Sequence, residues 1–268
     1  MNWMKFLLIP TFMFATTLSR ECVAQEEPSK TTESTEPQTQ AIEISGTKDP
    51  DWKRYRAMLK GLNAFDKYHS LAPNATHKYI LRPRQEGVEL QGLSLRLAYN
   101  DMSLPIPIAE DGTFSLPRDE QAQQKDAEVL INRKKNLFRW WPHIRSPGLQ
   151  AHQRRLGDLR LECQIFWAVY YDDIPFVARN LVSLMGGPCS TSKVLLSFPA
   201  DFLGLERATL VDGERHVKLN IDEKQSGFAV PLADKSLNDD ALIELHYKEQ
   251  VDPIRIRNYA GMSASVKL

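Results

Sequence analysis

Apolar residues along this chain recur first at helical and then at strand spacing. Trp52, Tyr55, Met58, Leu59, Leu62 and Phe65 form one stripe with a period near 3.6. Asp49 suits an N-cap, Pro50 the first helical position and Asp51 the positive helix end, so the spacing predicts a helix from residue 49 that stops before Pro73. Further on, Leu93, Leu95 and Leu97 alternate with polar neighbours, as do Leu104, Ile106 and Ile108, with Asn100-Asp101 as the turn between two strands. Asp111-Gly112 makes a second turn into Thr113-Phe114-Ser115-Leu116, and Ala127, Val129 and Ile131 alternate again. Pro105, Pro107 and Pro117 place the 104–108 strand at an edge or keep it short.

The middle of the chain reads differently. Leu137 to Trp141 and Leu156 to Tyr171 are expected to be strands. The second run, LGDLRLECQIFWAVYY, puts Leu159, Leu161, Cys163, Ile165 and Trp167 in one alternating set, as in a central strand buried on both faces. A short helix follows near Ile174-Pro175, capped by Asp172 or Asp173. It carries Phe176, Val177, Leu181, Val182 and Leu184 and ends at Gly186-Gly187-Pro188.

The later part then repeats the earlier pattern. Val217, Leu219 and Ile221 answer Leu104, Ile106 and Ile108. After one inserted residue, Gly227-Phe228-Ala229-Val230-Pro231 answers Thr113-Phe114-Ser115-Leu116-Pro117, and 240–245 answers 126–131. The shared order of turn, Phe, Pro, linker and strand points to a structural duplication, with chance convergence of two β meanders as the alternative. The stretch Asp111-Gly112-Thr113-Phe114-Ser115-Leu116-Pro117 resembles the regulatory β-sandwich modules found beside carboxypeptidases and in transthyretin-like domains. That resemblance covers about forty residues per copy and implies a non-catalytic structural or binding module; it carries over no active-site residues. The expected class is mainly β, of antiparallel β-sandwich type, with two related β units and two short helices. Its parts are a segment 1–24, a leader 25–48, the helix plus first β unit 49–135, central strands, short helix and cysteines 136–200, the second β unit 201–248 and a tail 249–268.

The amino terminus sets the expected location. Lys5 precedes the apolar run Phe6 to Thr17, and Cys22-Val23-Ala24 places small residues at the −3 and −1 positions of a cleavage site, so residues 1–24 read as an export signal. Arg20 and Glu21 before Cys22 do not suit a lipobox. The run is too short to cross a bilayer, and no later segment is apolar enough to span one. A periplasmic or secreted chain from Gln25 is the expectation, and its Thr-, Glu-, Ser- and Gln-rich leader reads as disordered. Cleavage would leave Cys163 and Cys189, which in an oxidising compartment are expected to form one disulfide.

Composition adds limits rather than chemistry. With 34 basic and 34 acidic residues, the chain has no global attraction to nucleic acid or membrane, so an electrostatic partner needs a local patch. H-E-x-x-H, G-x-S-x-G and the phosphate-cradling glycine loop are absent, and the six histidines are scattered. No catalytic residue, metal ligand or cofactor is therefore expected from the sequence. Ser190-Thr191-Ser192-Lys193 spells S-x-x-K, but it follows a Gly-Pro loop and no K-T-G comes after it. Asp172-Asp173 and Asp239-Asp240 read as caps and turns. The local exception is Arg133 to Arg160, where eight basic residues face one acid, Asp158, with Phe138, Trp140, Trp141, His143 and His152 interleaved. Arg139, Arg145, Arg154 and Arg155 flank its Pro-Gly segment and are the candidate anion-binding residues. The partner would be an anionic envelope component or an acidic protein surface, with nucleic acid not expected in an exported setting. Otherwise the arginines pair with acids elsewhere on the chain and the segment is a solvated face. An exported, non-enzymatic binding or structural module is the leading reading. The alternative is an envelope hydrolase with a site assembled from distant residues.

Overall fold

The computed structural model describes residues 48–85, 87–192, 196–202 and 204–248. Residues 1–24, read above as an export signal, nearly all of the expected leader, Lys193 of the S-x-x-K motif and the tail 249–268 lie outside them. Among the described residues the chain is mainly β with some helices, of sandwich-like class, and every strand pairing is antiparallel.

The chain opens with a strand where a helix start is expected. Asp49 takes a left-handed φ of 59°, and β1 (Pro50–Arg54) pairs with β6 (Glu128–Lys134), so Trp52 lies opposite Leu130 instead of on the helix. Helix α1 (Tyr55–Tyr68) begins only then, and Tyr55, Met58, Leu59 and Leu62 of the predicted stripe are buried along it. Next comes β2 (Thr76–Pro83), which the sequence reading did not assign. The hairpin of β3 (Leu95–Tyr99) and β4 (Met102–Ile106) turns through Asn100, whose φ of 49° suits a two-residue hairpin loop. β4 lies at the sheet edge, where its proline leaves no central ladder unpaired. β5 (Thr113–Phe114) follows the Asp111-Gly112 turn, in which the Asp111 carboxylate accepts the Thr113 N–H at 2.9 Å. Gly112 is required there, since its φ is 82° and a Cβ would sit 2.6 Å from the Leu81 carbonyl. A short α2 (Glu120–Gln124) leads to β6, and β7 (Phe138–Arg145) then pairs with β2.

The second unit follows the same order of strands from β1 to β6, with an extra helix after the first and without counterparts of α2 and β7. β8 (Gln153–Arg155) runs directly into α3 (Leu156–Tyr170), as β1 runs into α1. After α4 (Phe176–Leu184) come β9 (Ser197–Pro199), the hairpin of β10 (Leu205–Asp212) and β11 (Arg215–Leu219), β12 (Gly227–Ala229) and β13 (Leu242–Tyr247). One sheet runs β4-β3-β6-β1 and the other β11-β10-β13-β8. The registers agree as well. Leu97 faces Leu104 and Val129, while Leu210 faces Val217 and Ile243. Lys53 faces Val129, and Arg154 faces Ile243. Tyr55 N–H donates to Ala127 at 2.9 Å, and Leu156 N–H to Ala241 at 2.8 Å.

The expected long strand at 156–171 is therefore a helix. Its helical period is hidden because α3 lies between two cores and buries Asp158 and Glu162 along with its apolar residues. Leu161, Ile165 and Val169 belong to the first, with α1, β2, β3 and β6, and Leu156, Leu159 and Cys163 to the second, with β10 and β13. A run buried on all sides loses its period, so only its length distinguishes helix from strand. α1 crosses α3 at Gly61, where a Cβ would press on the Tyr79 hydroxyl and lie 2.7 Å from Val169. Cys163 and Cys189 are joined as expected, with Cα atoms 5.8 Å apart.

Candidate functional site

Strands β2 and β7 build the site because their alternation sorts one ribbon into two faces. His77, Tyr79 and Leu81 with Phe138, Trp140 and Ile144 turn towards the first core. Thr76, Lys78, Ile80 and Arg82 share the other face with Arg139, Trp141, His143 and Arg145, which lie across the ladder in the pairs 76–145, 78–143, 80–141 and 82–139. Residues from this face, the 146–151 loop and Asp201-Phe202 of the second unit enclose a cleft of about 360 Å³. Lys78, Arg82, His143 and Arg145 line it beside Ile80, Leu149 and Phe202.

Beneath the cleft lies a buried charge network. Asp201 accepts from Arg82 at 2.6 Å and from Arg145 at 2.5 Å, with Arg154 3.9 Å away. Burial acts to raise the Asp201 carboxyl, but Arg145, Arg82 and Arg154 outweigh it and hold it well below the usual carboxylate range. Arg82 also donates to the Ala200 carbonyl at 2.6 Å. Glu162 from α3 takes Arg154 at 2.6 Å, the Ile144 N–H at 2.9 Å and the Trp141 indole at 3.3 Å. Burial pushes Glu162 upward, and these donors favour its charged form. Asp158 accepts the Ser146 N–H at 2.8 Å and its hydroxyl at 2.6 Å, which fixes the start of the loop that walls the cleft. Burial, then the charges of Arg82 and Arg154, keep His143 neutral well below its ordinary value.

The four candidate arginines are thus not presented together. Arg154 is 1% exposed and held by Glu162 inside the protein, so it cannot meet an external partner. Arg155 points the other way from β8 and pairs with Asp240 at 3.1 Å. Arg145 edges the cleft while bound to Asp201. Arg139, half-buried at the far end of β7, makes no ion pair among the described residues. Burial, then the neighbouring Arg84 and Arg82, lower its pKa. Elsewhere in the basic segment, Lys135 pairs with Asp49, and Arg160 with Asp239 and the Leu232, Asp234 and Leu237 carbonyls. Lys78, Arg82, Asp201 and Glu162 were not singled out from the sequence. The signal for the first two was the alternation of THKYILRP, which marks β2 as a strand with a charged face.

Among the described residues no group of three His, Cys, Asp or Glu side chains is placed to hold a metal, and no helix is long and apolar enough to cross a membrane. No family model, curated protein or solved structure matches the chain.

Proposed function

We propose that this protein is an exported, non-enzymatic binding module whose β2–β7 face receives an anionic group of an envelope component or of an acidic protein surface. The observation that carries this reading is Arg139, a half-buried guanidinium without an ion pair among the described residues, on the same ladder face as Lys78 and Arg145, which line the cleft. Lys78, Arg139 and Arg145, partly withdrawn from water on one ladder face, gain more from an incoming anion than exposed side chains do. The resemblance of 111–117 to non-catalytic β-sandwich modules points the same way, as does the signal-like run at 1–24. The equal strand orders and registers support a duplication of one β-α-β unit as the origin of the scaffold, with the cleft at the junction of the copies.

The test is titration with polyglutamate and with vesicles containing anionic lipid, at low and at physiological salt. Binding should weaken steeply with salt, because exposed charges are screened over about 8 Å at physiological ionic strength. Arg139→Ser combined with Lys78→Ser should remove most of it, and Arg155→Ser should not. No affinity for either probe at low salt, or equal loss with Arg155→Ser, overturns the reading.

A hydrolase is the second reading, and His143 favours it: a neutral imidazole in a cleft beside Asp201 could accept a proton. Against it, the one serine hydroxyl lining the cleft, that of Ser146, is donated to Asp158 and not to an imidazole.

A further inference from the structure

We propose that α4 is a dimerisation helix that packs against the α4 of a second copy of this chain about a two-fold axis. No residue of α4 is buried. Phe176 is 67% exposed, Val177 78%, Leu181 59% and Leu184 86%. Val177, Leu181 and Leu184 follow each other at i, i+4 and i+7, which makes a continuous apolar stripe. A nine-residue helix is too short to persist on propensity alone. Here it is tied down at its flanks. Cys189 beyond its end is bonded to Cys163 in α3, and the Arg179 guanidinium lies 3.6 Å from Asp172 and over the rings of Tyr171 and Phe176. The anchoring leaves the stripe bare.

The comparison of the two units shows that α4 is an addition. The first passes from α1 to β2 through residues 69–75, and the second from α3 to β9 through residues 171–196. The added helix contributes nothing to either core, so the folding of the unit does not account for its apolar side chains.

The occupant follows from what else the surface offers. Among the described residues the other large apolar side chain that is exposed is Met102, alone on β4. Among the described residues a second copy therefore offers α4 no exposed apolar patch except its own α4. A surface that matches only itself makes an isologous contact, which closes at two copies and does not grow into a filament. A lipid surface fits less well, since the charges beside the stripe are Asp172, Asp173 and the already paired Arg179, and a short apolar helix without basic support binds bilayers only marginally. The stripe and its neighbours present on the order of 500 Å² per copy, so the pair buries roughly 1,000 Å², near the lower limit for a specific interface. The dimer is accordingly a small and reversible one.

Sedimentation equilibrium of the purified protein should show a reversible monomer–dimer equilibrium. Leu181→Glu and Val177→Glu should each raise its dissociation constant by roughly tenfold or more. They should leave the melting temperature of the dilute protein unchanged, because neither side chain packs in a core. Leu181→Cys, at mid-helix near the two-fold axis, should form an intermolecular disulfide on mild oxidation, and Met102→Cys should not. A monomer at every concentration up to the solubility limit overturns the proposal. So does a dimer that survives both glutamate substitutions, or a monomer that partitions onto zwitterionic vesicles through α4.

Discussion

Phe114 and Phe228 occupy corresponding positions in two different sheets. Phe114 lies opposite Tyr79 in the β5–β2 pairing, Phe228 lies opposite Phe198 in the β12–β9 pairing, and both rings are buried. Each ring also closes a small aromatic group, Phe114 with Tyr79 and Trp140, Phe228 with Phe198. Replacing either by alanine should therefore cost about 3–5 kcal/mol in urea unfolding. A loss below about 1 kcal/mol at one site and a full loss at the other would show that the two positions differ in packing despite their shared register.

The disulfide joins α3 to the segment after α4 and so pins that helix-bearing connection, not a sheet. Cys163→Ser should lower stability by about 2–5 kcal/mol, chiefly because the unfolded chain regains the freedom of the loop. Thiol titration of denatured, unreduced protein should find no reactive thiol at Cys163 or Cys189; two would contradict the bond.

Arg154 is an internal counter-ion, and that reverses the expected effect of changing it. Were it a surface contact, charge reversal would spare the fold. Buried against Glu162, it leaves that carboxylate without its counter-ion when lost, while Asp201, 3.9 Å away, keeps Arg82 and Arg145. Arg154→Met should destabilise by about 3–5 kcal/mol, and Arg154→Glu should prevent folding. Arg155→Glu, beside the exposed Asp240, should change the urea midpoint only slightly.

How legible this was in the sequence depends on the range of each signal. Hairpins and turns were legible because their determinants are local: Asn100 and Gly213 supply positive φ within two-residue loops. The parallel between the two hairpins and the strands after them was legible from Phe and Pro spacing, but the strand and helix that precede each hairpin were not. WKRY and QRRL share only an arginine, and their equivalence lies in the backbone bonds to Ala127 and Ala241. α3 was misread because burial in two cores removes the polar face that would reveal a helix. The basic segment was visible as composition, yet its fate depends on Asp201, Glu162 and Asp240, none within eight residues of the arginine it binds except Glu162 with Arg154. Charge pairing at such separations leaves no local mark.

The buried histidines and Asp201 give stability a two-part dependence on pH. Burial, followed by the charge of Arg118, lowers His77 from 6.5 to about 4, and His143 shifts in the same direction. For a base with a depressed folded pKa, the unfolded chain takes up the proton first. The neutral form thus stabilises the fold fully above about pH 6.5, and stability falls as pH drops from there towards about 4, by roughly 3 kcal/mol for His77. Asp201 acts lower on the scale. Its folded pKa is depressed, so its contribution is present above the unfolded value near 4 and is lost as pH falls further. Urea midpoints from pH 8 to pH 3 should decline in both windows. His77→Phe keeps the ring among Phe65 and Tyr79 and removes both the titration and an unpartnered Nε2. It should make the upper window shallower, leaving the part due to His143, and stabilise the protein more at pH 5 than at pH 7.5. Asp201→Asn should lower stability at neutral pH, where Arg82 and Arg145 lose their counter-charge, while flattening the lower window. An upper window unchanged by His77→Phe would mean that the imidazole is already charged in the folded protein.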